Sequence, residues 1–325
     1  MGWKSVFVLL LASYVPLQWA QSTEDLQHTA AEQPSTDKSG SSSEDIPTIR
    51  ANVQEVNVIF TATDKRGHYK NDLKSDELSV LDDGKPPAAV RSFTSETNLP
   101  LRVGLVLDVS GSITDRFTFE QDSAIKFFGQ VLRPHTDKAF VLAFDSTPTL
   151  TQDFTDDVAK LSAGVKKLRP AGGSAVYDAL QYAAAKKLTN VNADQPVRRI
   201  IILISDGEDN QSSTTIPQVI EAARRAEATI YAISTNDSPT VSRGDKLLKR
   251  LAEETGGRAF FPNKVGDVVK AFETIQDELR SQYALSYKPA DFQADGRYRS
   301  IVIQARNEKN VVIRARKGYF APSSR

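Results

Sequence analysis

The sequence predicts an α/β domain with a doubly wound, mostly parallel sheet. That domain is inserted in, or flanked by, a small β-sandwich built from the N- and C-terminal segments. Three observations predict this. From residue 100 onward, apolar runs alternate with amphipathic stretches, the pattern of a parallel sheet covered by helices. The segments on either side read as short strands, and each is too small to be stable alone. Two of the apolar runs end in a carboxylate followed by a glycine turn, at the strand ends where open α/β sheets bind ligands.

Composition sets the bounds. A chain of 325 residues allows about two domains of ~100–200 residues each. Its hydrophobic content of 40% is ordinary and supports a core. The 41 basic and 41 acidic residues cancel, so nothing electrostatic points to nucleic acid. With no cysteine there are no disulfides and no lipid attachment at an N-terminal Cys. An exported chain of this kind must be held by its core alone.

Residues 1–20 read as an export signal, with Lys4 as the charged region, an apolar stretch over residues 6–12, and Ala20 before the cut. The stretch is shorter than the ~20 residues that span a bilayer, and Pro16 interrupts it. A cleaved signal is therefore expected, with no transmembrane segment after its removal. The implied location is the periplasm, the cell surface or the extracellular space. Residues 21–48 are rich in Ser, Thr, Glu, Asp and Gln and too poor in apolar residues to offset chain entropy, so they read as a disordered linker.

Residues 49–99 form the first β segment. Val56-Asn57-Val58-Ile59-Phe60-Thr61-Ala62-Thr63 is rich in β-branched residues. Leu78-Ser79-Val80-Leu81 runs into the turn Asp82-Asp83-Gly84-Lys85, and residues 90–93 supply a third strand. Residues 100–281 form the α/β domain. Its strands are read at 103–107, 140–144, 200–204, 229–233 and 258–261, and its helices at 117–132, 156–168, 175–188, 215–227 and 245–254. In the last helix, Val265, Val268, Val269, Phe272, Ile275 and Leu279 recur at helical spacing. Residues 282–322 form the second β segment, with strands at 283–287, 300–306 and 311–316. The last two are expected to form a hairpin around residues 308–310. Arg297, Arg299, Arg306, Arg314, Arg316 and Lys317 read as the wet face of this sheet.

Three loops carry the chemistry. Asp108-Val109-Ser110-Gly111-Ser112 follows a buried run and presents one carboxylate and two hydroxyls, hard oxygen donors of the type Mg²⁺ prefers. In Gly172-Gly173-Ser174, two glycines free the backbone before a helix, and Ser174 can cap that helix or present its hydroxyl. Ser205-Asp206-Gly207-Glu208-Asp209 ends another buried run, and there Glu208 and Asp209 read as solvated. The first loop by itself reads equally as a capped turn. The three together favour a metal site.

In this order the three pieces resemble the von Willebrand factor type A domain, a Rossmann-like fold, over about residues 100–281. The family's metal-ion-dependent adhesion site uses Asp-x-Ser-x-Ser, a Thr from a second loop and an Asp from a third. The resemblance places these roles on Asp108, Ser110, Ser112, Ser174 and Asp206. Ser174 stands where the family usually has Thr, keeping the hydroxyl and losing the methyl. The flanking residues Asp64-Lys65-Arg66-Gly67, Leu81-Asp82-Asp83-Gly84-Lys85 and Arg316-Lys317-Gly318-Tyr319-Phe320-Ala321-Pro322 resemble bacterial exported proteins described as VWFA-related.

The resemblance implies Mg²⁺ or Mn²⁺, with the hydroxyls on the metal and at least one Asp acting through water. An exchangeable position then remains for an Asp or Glu of a protein partner. It also implies that the last helix can shift when ligation changes. The expected function is thus an adhesion-type binding module and not an enzyme. The alternatives are a Mg²⁺-dependent phosphoryl hydrolase using Asp108 and Asp206, and an envelope protein whose metal only stiffens it. Enzyme signals are sparse: His28, His68 and His135 stand apart, and there is no Gly-x-Ser-x-Gly elbow and no phosphate loop. Arg243-Gly244-Asp245 spells an adhesion tripeptide, but it reads as chance, with Asp245 at a helix N-cap.

Overall fold

The computed structural model describes residues 55–95, 98–111, 117–189, 191, 197–236, 238, 240–306 and 310–323. The signal segment 1–20, the linker 21–48 and the predicted ligand Ser112 lie outside the described residues.

Three strands come first: β1 (Val56–Asp64), β2 (Leu78–Asp82) and β3 (Ala89–Thr94). The α/β domain follows, with β4 (Leu101–Asp108), α1 (Phe117–Val131), β5 (Lys138–Phe144), β6 (Pro148–Thr155), α2 (Val158–Lys166) and α3 (Val176–Gln181). It continues through β7 (Arg198–Ser205), α4 (Ile216–Arg225), β8 (Ala228–Ser234), α5 (Arg243–Thr255), β9 (Ala259–Phe260) and α6 (Val265–Arg280). The chain closes with β10 (Gln282–Lys288), β11 (Tyr298–Ala305), β12 (Val311–Ala315) and β13 (Gly318–Phe320).

The central sheet has the order β6-β5-β4-β7-β8-β9. Strands β5, β4, β7, β8 and β9 are parallel, and β6 pairs antiparallel with β5 at one edge. Alternation along each strand divides two cores. Leu105, Ile202 and Ile233 face α1, α2 and α6, whereas Val106, Leu203 and Ala232 face α3, α4 and α5. Burial on both faces is why these strands read as continuous apolar runs. Burying a side chain such as Phe127 or Ile275 stabilises the fold by about 1.5–3 kcal/mol.

The remaining strands make two antiparallel sheets, β12-β1-β10-β3 and β13-β11-β2. Strand β1 lies between β12 and β10, so each sheet mixes strands from both ends of the chain. The α/β domain is therefore inserted between β3 and β10. The expected hairpin of β11 and β12 does not form, because the two strands lie in opposite sheets. Each has one apolar face, and separating them lets Ile301 and Ile303 of β11 pack toward Val58 and Leu285 of the other sheet. Tyr287 and Tyr319, one from each sheet, both donate to Asp82 Oδ2, at 2.8 and 3.1 Å. Burial, and then the Asp82 carboxylate, push both phenols well above their usual pKa.

The wet-face expectation fails at Arg299 and Arg316, whose side chains are 13% and 11% exposed, and with most consequence at Arg314. Its guanidinium forms an ion pair with Glu278 of α6, whose side chain is fully buried. Glu278 also accepts from Tyr231 Oη at 2.8 Å and from Thr61 Oγ1 at 3.5 Å. The charge on β12 points inward because a helix carboxylate there needs a counter-ion. The pair ties the end of α6 to both β1 and β12.

Removing one partner strands the other in the interior. Glu278→Ala is expected to cost about 3–5 kcal/mol in denaturant unfolding. Glu278→Leu combined with Arg314→Met should recover most of that loss, since a well-packed apolar pair avoids desolvation.

Candidate metal centre

Asp108 is the last residue of β4 and sits between the ends of β5 and β7 at 1% exposure. Its Oδ1 accepts from the backbone N–H of Ser110 at 2.9 Å. Its Oδ2 accepts from Ser205 Oγ at 2.7 Å and Ser174 Oγ at 3.4 Å. Burial pushes the Asp108 carboxyl above the usual carboxylate range, and the nearby Asp206 charge pushes the same way. Hydrogen bonds from Ser110 and Ser205 oppose that shift without cancelling it.

Each neighbour is held by a backbone device. Ser174 does not cap α3, because that position belongs to Ala175, which has no side-chain cap bond. Its hydroxyl is instead directed to Asp108. Gly172 adopts φ 75°, and a Cβ on Gly173 would lie 2.8 Å from Asn210 Oδ1. That close approach lets Ser174 N donate to Asn210 Oδ1 at 3.0 Å while Ser174 O accepts from Asn210 N at 3.0 Å. The second loop is thus clasped to the third.

Asp206 follows β7 and is half-buried, and its Oδ1 accepts from Glu208 N at 2.9 Å. Gly207, at φ 77°, lies against Gly244 at the start of α5, where a Cβ on Gly244 would fall 2.0 Å from Asp206 O. Glu208 Oε1 accepts from Gly244 N at 3.1 Å. Asp209 Oδ2 accepts from Tyr177 N at 3.1 Å and from Ser212 Oγ at 2.6 Å, so it anchors the start of α3 and is not merely solvated. The tripeptide Arg243-Gly244-Asp245 is packed here, with Gly244 and Asp245 buried. The N-cap of α5 is Ser242, not Asp245, which stands three residues in and closes a reciprocal capping box.

The structure therefore gathers Asp108, Ser110 and Ser174, with Asp206 near enough to act on Asp108 electrostatically. Ser205 is a further participant that sequence reasoning missed. It ends an apolar strand, and its only signal was its place beside Asp206. Among the described residues no group of three His, Cys, Asp or Glu side chains gathers as a metal cluster. The predicted set contains two carboxylates and three hydroxyls, so it does not depend on such a group. His68 and His135 lie elsewhere, beside Asp64 and Asp156.

Residues 103–208 match the family model of the von Willebrand factor type A domain, and that range contains Asp108, Ser110, Ser112, Ser174 and Asp206. The α/β domain has a von Willebrand factor type A (VWA) fold. The chain is 28% identical over 219 residues to a UPF0353 protein of Mycolicibacterium paratuberculosis, covering 59% of this chain and 65% of that one. A UPF0353 protein of Mycolicibacterium gilvum is 28% identical over 202 residues, covering 54% and 60%. The chain thus spans less than two thirds of the length of these relatives.

Similar solved structures include proximal thread matrix protein 1 of the mussel byssus with a zinc-occupied MIDAS motif. Its TM-score is 0.49 at 17% identity, over 62% of this chain and 50% of that one. The vWF domain of the type V pili tip protein Mfa5 from Porphyromonas gingivalis gives a TM-score of 0.47 at 15% identity, over 55% and 94%.

Two glycine substitutions separate packing from helix propensity. Gly244→Ala should destabilise by about 1–3 kcal/mol despite a better helix former, because its Cβ meets the Asp206 backbone. Gly266→Ala, on α6 with open space around it, should stabilise by about 0.5–1 kcal/mol. Thermal unfolding of both variants reads the contrast.

Proposed function

We propose that the VWA domain holds Mg²⁺ or Mn²⁺ at Asp108, Ser110, Ser112, Ser174 and Asp206, and that the ion binds an Asp or Glu of a protein partner. The observation that carries this is the buried Asp108 carboxylate, pushed up by desolvation, with a second carboxylate nearby and hydroxyls converging on it. Two close carboxylates repel each other, and a divalent cation offsets both charges. The donors are all oxygens, which fits a hard cation.

A bound ion would supply an electrophilic position for an incoming carboxylate. The chain's own residues do the remainder. Ser205 orients Asp108, the clasp between residues 172–174 and Asn210 fixes Ser174, and the Gly207–Gly244 contact fixes Asp206. With few carboxylates in the set, an ion would keep exchangeable positions. Binding, and not hydrolysis, is the activity this arrangement supports best, because both carboxylates of the set, Asp108 and Asp206, would be engaged as ligands. The export signal read in residues 1–20 would place the domain in the periplasm, at the cell surface or outside the cell. Among the described residues, no helix is long and apolar enough to cross a membrane.

Two measurements test the reading. Adding Mg²⁺ or Mn²⁺ should raise the melting temperature, equivalent to about 2.7 kcal/mol at 100 times the dissociation constant, and Asp108→Ala should abolish the rise. A partner captured from envelope extract in Mg²⁺ should be released by EDTA. Capture that survives both EDTA and Asp108→Ala would refute the proposal.

A further inference from the structure

At the opposite end of the central sheet from Asp108 lies a cleft of about 600 Å³. It opens where the β12-β1-β10-β3 sheet meets the first residues of β7 and β8 and the end of α4. That volume is within the ~300–1,000 Å³ range of small-molecule sites.

Its lining is chemically two-sided. Arg198, Arg199, Arg224 and Arg316 come from β7, α4 and the residue after β12, while Asn57, Ser92, Thr94 and Gln282 come from the sandwich side. Glu227 is the one carboxylate among these described lining residues. It accepts from Arg316 Nη1 at 2.8 Å and lies 3.9 Å from Arg199 Nη1. The guanidinium side chains are only 11% and 20% exposed, whereas the Glu227 side chain is 51% exposed. Glu227 is also the residue after the C-cap of α4, where its φ of 50° ends the helix in the left-handed turn common at that position. Two largely buried cations thus share one exposed counter-ion. Backbone carbonyls hold both guanidiniums in place, Arg316 Nη2 donating to Asn57 O at 2.7 Å and Arg199 Nε to Leu188 O at 3.1 Å. The other two arginines have side-chain partners of their own: Arg198 Nη1 donates to Gln282 Oε1 at 2.9 Å, and Arg224 pairs with Glu254 and lies over the Tyr298 ring at 4.4 Å.

We infer that this cleft binds a small hydroxylated anion, of the uronic acid or sugar phosphate class. The ligand's carboxylate or phosphate takes the place of the Glu227 carboxylate between Arg199 and Arg316, where guanidinium forks match its planar or tetrahedral oxygens. The hydroxyls of the ligand meet the uncharged amides and hydroxyls of Asn57, Ser92 and Thr94 on the facing wall. The site is separate from the Asp108 loop and needs no metal.

Isothermal titration of the full chain in EDTA tests this, with glucuronate and glucose 6-phosphate as probes and glucose and inorganic phosphate as controls. At least one probe should bind, and whichever binds more tightly identifies carboxylate or phosphate as the head. Glucose should bind at least 10-fold more weakly, and so should inorganic phosphate. Glu227→Gln should tighten binding several-fold by removing the internal competitor, and Arg199→Gln should weaken it about 10-fold. If Glu227→Gln lowers the melting temperature, Arg199→Gln alone decides. Binding of neither probe overturns the inference, as do equal binding of glucose or of inorganic phosphate and an affinity unmoved by Arg199→Gln.

Discussion

A carboxylate buried at the end of a strand is the constraint around which the α/β half of this molecule is arranged. Asp108 ends β4 in the middle of the central sheet, almost without solvent contact. Burying an ionised group costs several kcal/mol unless other groups compensate. Here the compensation comes from one backbone N–H and hydroxyls delivered by two other loops. Glycines allow those loops to come close, Gly173 under the side chain of Asn210 and Gly207 against the backbone of Gly244. The doubly wound topology supplies the rest, since parallel neighbours bring the ends of β5 and β7 to either side.

The sandwich acts on the same domain from the other end. Chain entry at β3–β4 and exit at α6–β10 both lie beside one sheet, β12-β1-β10-β3. Glu278 then fastens the exit helix, held by Tyr231 inside the α/β domain and by Thr61 and Arg314 in the sandwich. Any displacement of α6 along its axis has to break these buried bonds. A shift of α6 along its axis would therefore have to move β1 and β12 with it.

Much of this was legible in the sequence, and for definable reasons. Strands β4, β5, β7 and β8 are buried on both faces, so they stand out as unbroken apolar runs. Strand β6 was missed because it is a polar edge strand, Thr149, Thr151 and Gln152 among its residues, paired on one side only. The pairing of β11 and β12 was misread because proximity in sequence suggests a hairpin, whereas a sandwich core needs apolar faces on two sheets. Arg314 was misplaced because a charge on a half-polar strand reads as solvated, and its partner Glu278 lies on a helix that sequence spacing does not connect to it. At the site, Asp108 and Asp206 are legible as carboxylates that close buried strands, and Ser174 from the glycine pair before a helix. Ser205 was hidden inside a strand, although it makes the shorter of the two hydroxyl bonds to Asp108.

If the burial of Asp108 is organised for a cation, titration of the full chain with Mn²⁺, followed by electron paramagnetic resonance, should show one bound Mn²⁺ per chain in an all-oxygen environment. Excess Mg²⁺ should displace it, and Asp108→Ala should lose it. No bound Mn²⁺, or Mn²⁺ held equally well by Asp108→Ala, would contradict that organisation.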